Sequence, residues 1–201
     1  MLTDWPVSDD VRVACAPEAT YRALVEDADT TSTAGVLGHA AVANAVLVFG
    51  MPLIVTGRIT FVSLTSSVLC WGFVAVLQAI LGWALIVSSP ARRVGVRRAL
   101  DLWFAAHLPF SLWMLVVFGW VMYTNHLAQL SILATATVPA VWTMVLLWAY
   151  CRVVLGVSAR AAAWRVALEQ GAAWLLVTAY VLFAAGGLNS VIRFLVRQFE
   201  S

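Results

Sequence analysis

The sequence predicts an all-α polytopic membrane protein, a bundle of five transmembrane helices with a cytoplasmic amino terminus and an external carboxyl terminus. Three observations lead to this fold class. The 201 residues are 63% hydrophobic and 11% charged, whereas soluble domains are about 45–50% apolar and about 25% charged. Five uninterrupted apolar runs each reach the roughly 20 residues that a helix needs to cross a bilayer. The chain has twelve arginines and no lysine, and the arginines are distributed unequally between the two sides of those runs.

The apolar runs fall at about 36–57, 60–87, 102–124, 127–150 and 166–188. If each run crosses the bilayer, nine arginines lie on the side of the amino terminus and three on the other side. Because cytoplasmic loops carry an excess of basic residues, this bias puts the amino terminus in the cytoplasm. Runs of this kind also differ from the alternating segments of a transmembrane barrel. The sequence therefore predicts a multi-pass protein of the cell inner membrane, and the arginine-only usage indicates a bacterial, GC-rich genome.

The chain divides into three parts. Residues 1–35 are polar and acidic, without the basic start and apolar core of a signal peptide. Within them, Pro17 suits the first turn of a short helix over PEATYRALVE, which we expect either to lie along the cytoplasmic surface or to be loosely ordered. Residues 36–188 form the five-helix domain. Residues 189–201 read as an external amphipathic tail, with arginines on one face and apolar residues on the other.

Local signals predict where some helices start and bend. Ser88 or Ser89 can cap a helix that begins at Pro90, and Ser158 can cap another. The first, third and fourth runs contain Pro52, Pro109 and Pro139. Proline removes a helical hydrogen bond and usually kinks a helix, so bends are expected at these positions.

Two ion pairs are predicted at the starts of spans. Arg165 and Glu169 are four residues apart, which puts them on one helix face. We expect their side chains to approach each other, with Arg165 the more exposed. Asp101 should approach Arg97 or Arg98 in the same way.

Polar side chains inside a bilayer are costly, so each one is a candidate for function. Counting from the predicted cytoplasmic boundary, His39, His107, Asn44, Gln78, Glu169 and Gln170 all fall in the cytoplasmic half. The last four define a candidate polar cluster that could serve as a ligand site or ion pathway. The alternative is helix packing, since Asn44 and Gln78 each lie between alanines at the spacing that lets helices approach closely.

His39 and His107 raise a second interpretation, because they have similar predicted depths on different spans. Facing imidazoles of this kind can hold a b-type haem. They are the only plausible pair. The chain has no recognisable catalytic motif, no metal-ligand spacing and no nucleotide-binding motif. We therefore expect a non-enzymatic protein with no catalytic residues, no metal and no cofactor.

The basic loop suggests a contact with lipid. Arg92, Arg93, Arg97 and Arg98 fall within one stretch of seven residues on the predicted cytoplasmic side. They could bind anionic lipid headgroups. A role in determining the membrane topology would by itself also explain why these arginines are there. A net charge of only +2 gives no indication of a nucleic-acid partner.

Three motifs accompany the predicted spans: APEATYRALVED before the first, ALDLWFAAHLPFSLW with Pro109 early in the third, and GVSARAAAWRVAL before the last. These motifs resemble those of the bacterial branch of the Yip family, the Ypt/Rab-interacting-protein-like membrane proteins. The tyrosine- and glycine-rich amino-terminal motifs of eukaryotic members are missing. The resemblance implies five spans and a non-enzymatic role in membrane organisation or protein association, with no catalytic residues carried over.

Three functions remain open from the sequence. The leading one is a scaffold or accessory subunit that contacts a protein partner, or further copies of itself, within the lipid bilayer. The second is a haem-containing redox protein that uses His39 and His107. The third is a transporter of small solutes or lipids that uses the candidate polar cluster.

Overall fold

The computed structural model describes residues 6–27, 33–56, 60–124 and 132–184. Over those ranges the chain is all helical, as predicted. Eight helices follow one another: α1 (Pro6–Cys15), α2 (Pro17–Glu26), α3 (Thr33–Thr56), α4 (Phe61–Val87), α5 (Val96–Ala105), α6 (Leu108–Thr124), α7 (Ile132–Val153) and α8 (Ala159–Ala184). The predicted tail at 189–201 lies outside the described residues.

The five long helices pack side by side in a closed ring, in the order α3, α4, α8, α7, α6 and back to α3. The short helix α5 lies across one end of this ring, where it contacts α3, α4 and α7. Its apolar side is buried and consists of Ala99, Leu102, Trp103, Phe104 and Ala105. The main hydrophobic core is centred on this end of the ring. We call it the α5 end.

The two amino-terminal helices pack at the α5 end. α1 contacts α5 and α6, and α2 contacts α7. The helix predicted from Pro17 is α2, with Pro17 as its first residue and Glu26 as its last. α1 was not predicted from the sequence.

The third predicted span, 102–124, is not a single helix, because a turn at Ala106 and His107 separates α5 from α6. Pro109 has no amide hydrogen, so the carbonyl four residues before it loses its helical partner. In the turn, the amides of Ala106 and His107 donate three residues back rather than four, to the carbonyls of Trp103 (3.2 Å) and Phe104 (2.9 Å). The bend expected at Pro109 is confirmed. It leaves α6 as a separate helix of 17 residues, about 25 Å long. By contrast, α3 and α7 are each assigned as one continuous helix that contains Pro52 or Pro139.

Of the two predicted helix starts, one is confirmed and one is wrong. The Ser158 hydroxyl accepts a hydrogen bond from the amide of Ala161 at 3.3 Å, so it caps α8. Ser88 instead closes α4, with its hydroxyl donating back to the carbonyl of Leu85 at 3.0 Å. α5 begins only at Val96.

The two loops at the α5 end are fixed to each other. The amide of Arg93 donates to the carbonyl of Val154 at 2.9 Å. Beside this bond, Gly156 has a φ of +68°, and a Cβ built on it would lie 2.7 Å from the carbonyl oxygen of Ala91. A left-handed backbone and so close an approach both require glycine. The loops at 88–95 and 154–158 therefore form one packed surface.

Among the residues that the structure describes, three stretches are long and apolar enough to cross a membrane by length and composition: Phe61–Val87, Val96–Thr124 and Thr135–Val153. They differ in how far the protein covers them. In α4 only 12% of the most apolar 18-residue window is buried, against 44% in each of the other two. α4 therefore turns most of its apolar surface outward.

The loop contact at Gly156 leads to a paired prediction. Gly156→Ala should destabilise the protein by about 1–3 kcal/mol, because alanine must adopt a strained backbone against a carbonyl. Gly171→Ala, on α8, should be neutral or stabilise by about 0.5–1 kcal/mol, because a Cβ there meets nothing within 4 Å and alanine favours helix. Thermal unfolding of the two purified variants checks this. Equal melting temperatures would contradict it.

Candidate functional site

Four charged or polar side chains from three helices meet at the α5 end. The His39 ring, on α3, lies with Nε2 3.0 Å from Oδ2 of Asp10 on α1 and with Nδ1 3.3 Å from Oδ1 of Asp101 on α5. The second oxygen of Asp101 lies 3.4 Å from Nη1 of Arg98, one turn earlier on α5. All four side chains are 13–20% exposed. We call these four residues the charged cluster.

The composition of the charged cluster follows from the cost of burying ions. A carboxylate that loses water is destabilising unless it is paired and hydrogen-bonded. A doubly protonated imidazole can donate one hydrogen bond to each of its two carboxylates, and with Arg98 present the four charges then balance. His39, on α3, therefore links Asp10 on α1 to Asp101 on α5.

A small cavity adjoins the charged cluster. Its volume is about 70 Å³, and Asp9, Val13, Leu24, Leu102 and Ala105 complete its wall. Since a water molecule occupies about 30 Å³ in the liquid, there is room for about two waters. The cavity suits hydration of the carboxylates better than a bound organic solute.

Buried hydrogen bonds hold the amino-terminal helices against the ring. The Tyr21 hydroxyl, on α2, donates to the carbonyl of Leu102 at 3.3 Å, and its ring packs edge-on against Tyr150 with centroids 5.8 Å apart. Burial, with a smaller effect of the charge on Asp10, raises the pKa of the Tyr21 phenol well above its ordinary value. The hydroxyl therefore stays protonated and continues to donate.

Two further contacts tie the same helices to α7. The indole Nε1 of Trp142 donates to the carbonyl of Ala14 at 3.1 Å. At the rim, Arg152 lies 3.3 Å from Glu18, with both side chains more than 40% exposed. An ion pair so exposed contributes little to stability, so the buried hydrogen bonds carry the attachment.

The predicted pair of histidines is not arranged for haem. Both ring nitrogens of His39 face carboxylates, so neither is free to bind an iron. His107 is buried, with Nδ1 3.1 Å from the carbonyl of Trp103 and its ring packed on that indole at 4.2 Å. The two histidines stabilise the α5 end in different ways.

The candidate polar cluster is present only in part. Glu169 and Gln170 are buried on α8, and the amide of Gln170 donates to Glu169 at 2.8 Å. Gln78 is half-buried on α4, and within the described ranges no hydrogen bond joins it to either of them. The side chain of Asn44 lies outside the described residues.

The predicted pair of Arg165 and Glu169 is wrong. Arg165 donates to the carbonyl of Ser88 at 3.2 Å and to the hydroxyl of Ser89, which fixes the start of α8 to the end of α4. Glu169 keeps only its neighbour Gln170 as a hydrogen-bond partner in the part of the chain that the structure describes. The expectation that Arg165 is the more exposed of the two is confirmed.

The pairing expected for Asp101 is confirmed with Arg98, three residues before it. Sequence reasoning missed its second partner, His39, and the role of Asp10. A signal for α1 was present, since Pro6 suits a first turn and Asp9 and Arg12 complement the helix dipole. Nothing local, however, indicates that Asp10 meets a histidine 29 residues later.

Comparisons with known proteins yield no relative for this chain. No protein-family model matches it. No curated protein and no solved structure matches it either.

The charged cluster leads to a stability prediction. Asp10→Asn and His39→Gln should each destabilise the protein by about 1.5–3 kcal/mol, the range for hydrogen bonds to charged groups. The double variant should lose less than the sum, because the two side chains act on each other. Thermal unfolding in detergent measures all three.

Asp9→Asn is the matched control, since Asp9 neighbours Asp10 in sequence but its one ion-pair partner among the described residues is the exposed Arg12. Its effect should stay within about 0.5 kcal/mol. Additive losses of stability in the double variant would mean that His39 and Asp10 do not interact. A loss of stability in Asp9→Asn equal to that in Asp10→Asn would mean that the effect is not specific to this pair.

Proposed function

We propose that this chain is a non-enzymatic integral membrane protein that acts as a scaffold or accessory subunit in a membrane assembly. It would cross the bacterial inner membrane five times, with the amino terminus and the α5 end in the cytoplasm and the carboxyl terminus outside. The three apolar stretches support membrane insertion. α3 and α8 have 24 and 26 residues, enough for the other two crossings. The arginine distribution supports the orientation.

The outward face of α4 is the observation that favours a scaffold. Gly72, Val76, Ile80, Trp83 and Val87 follow one another at spacings of three or four residues, so they form one stripe. The four larger side chains are 42–60% exposed. A Cβ at Gly72 would meet nothing within 4 Å. Because the glycine has no side chain, a helix of another subunit could approach this stripe closely at that position.

The use of the polar groups supports the same role. His39, Asp101 and Arg98 are engaged with one another, and Arg165 holds two backbone segments together. These contacts stabilise the protein's own helices. The motifs that resemble the Yip family imply a role of the same class, which stays a prediction.

Association through α4 predicts a selective effect of Gly72→Leu. The variant should fold with an unchanged melting temperature, because the position is open. It should lose the partner or the oligomer, because a bulky side chain keeps a neighbouring helix at a distance. Mild extraction from native membranes, followed by native gel electrophoresis and mass determination, measures the size of the complex.

Gly171→Leu is the control, since that position on α8 is equally open but lies off the α4 stripe. It should retain the wild-type complex. A wild-type protein that runs as a single chain would overturn the proposal. So would a Gly72→Leu variant that keeps the complex intact.

A further inference from the structure

The nine arginines that the structure describes fall into two groups. Five are held within the chain, by Asp9, Glu18, Asp101 or the segment 88–89; these are Arg12, Arg22, Arg98, Arg152 and Arg165. The other four are exposed, and their side chains make no ion pair or hydrogen bond with any described residue; these are Arg92, Arg93, Arg97 and Arg160. We call this second group the arginine platform.

The arginine platform belongs to one surface, because its segments are fixed together. The backbone bond from Arg93 to Val154 joins the two loops. Arg165 joins the first turns of α8, where Arg160 lies, to the end of α4. No aspartate or glutamate occurs in the segments 88–100 and 154–168. The positive charge on this surface is therefore not compensated from within it.

Apolar side chains flank the arginine platform on two neighbouring helices. Trp83 and Val87 are 54% and 42% exposed at the end of α4. Trp164 and Leu168 are 62% and 68% exposed at the start of α8. α4 and α8 are adjacent in the ring. Exposed guanidinium groups next to exposed tryptophan and aliphatic side chains match a molecule that has both an anionic head and a hydrocarbon chain.

We propose that the arginine platform and the adjoining ends of α4 and α8 bind anionic phospholipid. The arginines would take the headgroup phosphate, since guanidinium presents paired donors that match phosphate oxygens. Trp164 and Leu168 on α8 would lie along the acyl chains, with the indole at headgroup level. The structure also changes the set predicted from sequence, because Arg98 is engaged in the charged cluster and Arg160 joins the other three.

The test uses the full-length purified protein in detergent, titrated with phosphatidylglycerol or phosphatidylcholine and followed by native mass spectrometry. The variant is Arg92→Gln with Arg160→Gln. Each arginine near a charged surface contributes enough for about a fivefold change in affinity. The double variant should therefore bind phosphatidylglycerol about 30-fold more weakly, with phosphatidylcholine binding weak and unchanged.

Arg12→Gln with Arg22→Gln is the matched control, because it removes the same charge from exposed pairs on α1 and α2. It should change the affinity by less than about twofold. An equal loss in both double variants, or equal binding of the two lipids, would overturn the proposal. Full displacement of lipid by inorganic phosphate at similar concentration would show a small-anion site instead. Binding of a single-stranded oligonucleotide as tight as that of lipid would also overturn it.

Lipid binding does not depend on the proposed association through α4. It is measured on the isolated chain and can fail while the Gly72→Leu experiment succeeds, or the reverse.

Discussion

In the part of the chain that the structure describes, charge is confined to one end of the helix ring, and the rest of the described structure depends on that constraint. Every described Asp, Glu and Arg lies on α1, on α2 or at Asp27 directly after it, in the segment 92–101, or on the adjoining parts of α7 and α8. Charged side chains at the centre of a bilayer are costly. The halves of the long helices away from the α5 end carry no charged residue that the structure describes, while the α5 end must be both packed and polar.

Packing at the α5 end obliges some of these charges to be buried, and burial obliges them to pair. His39 lies between two carboxylates from different helices, so the charged cluster fixes α1 and α5 to α3. The turn before Pro109 allows α5 to leave the direction of α6 and lie across one end of the ring. Arg165 and Gly156 then hold the two loops in place. Four exposed arginines that pair with no described residue remain, and they form the arginine platform.

Local signals predicted much of the fold. These signals each lie in one continuous stretch of sequence. The apolar runs are uninterrupted, and the helix start at Pro17, the cap at Ser158 and the bend at Pro109 each depend on residues within about one turn. The pair of Arg98 and Asp101 was predictable for the same reason.

Contacts distant in sequence were not predictable. The spacing of Arg165 and Glu169 allowed a pair, yet Ser88 and Ser89 compete for the same guanidinium because the loop folds against α8. The link from Asp10 to His39 depends on how α1 packs, and no periodic pattern encodes that.

The orientation of the ring is the central claim, because the proposed function and the family resemblance both assume a cytoplasmic α5 end. Fusions of a reporter active only in the cytoplasm, and of alkaline phosphatase, which is active only outside it, test this directly. The fusion sites are after residues 95, 126, 158 and 201. The account predicts cytoplasmic signals at 95 and 158 and external signals at 126 and 201. A cytoplasmic signal at 201 would contradict the five-span topology, and external signals at 95 and 158 would invert it.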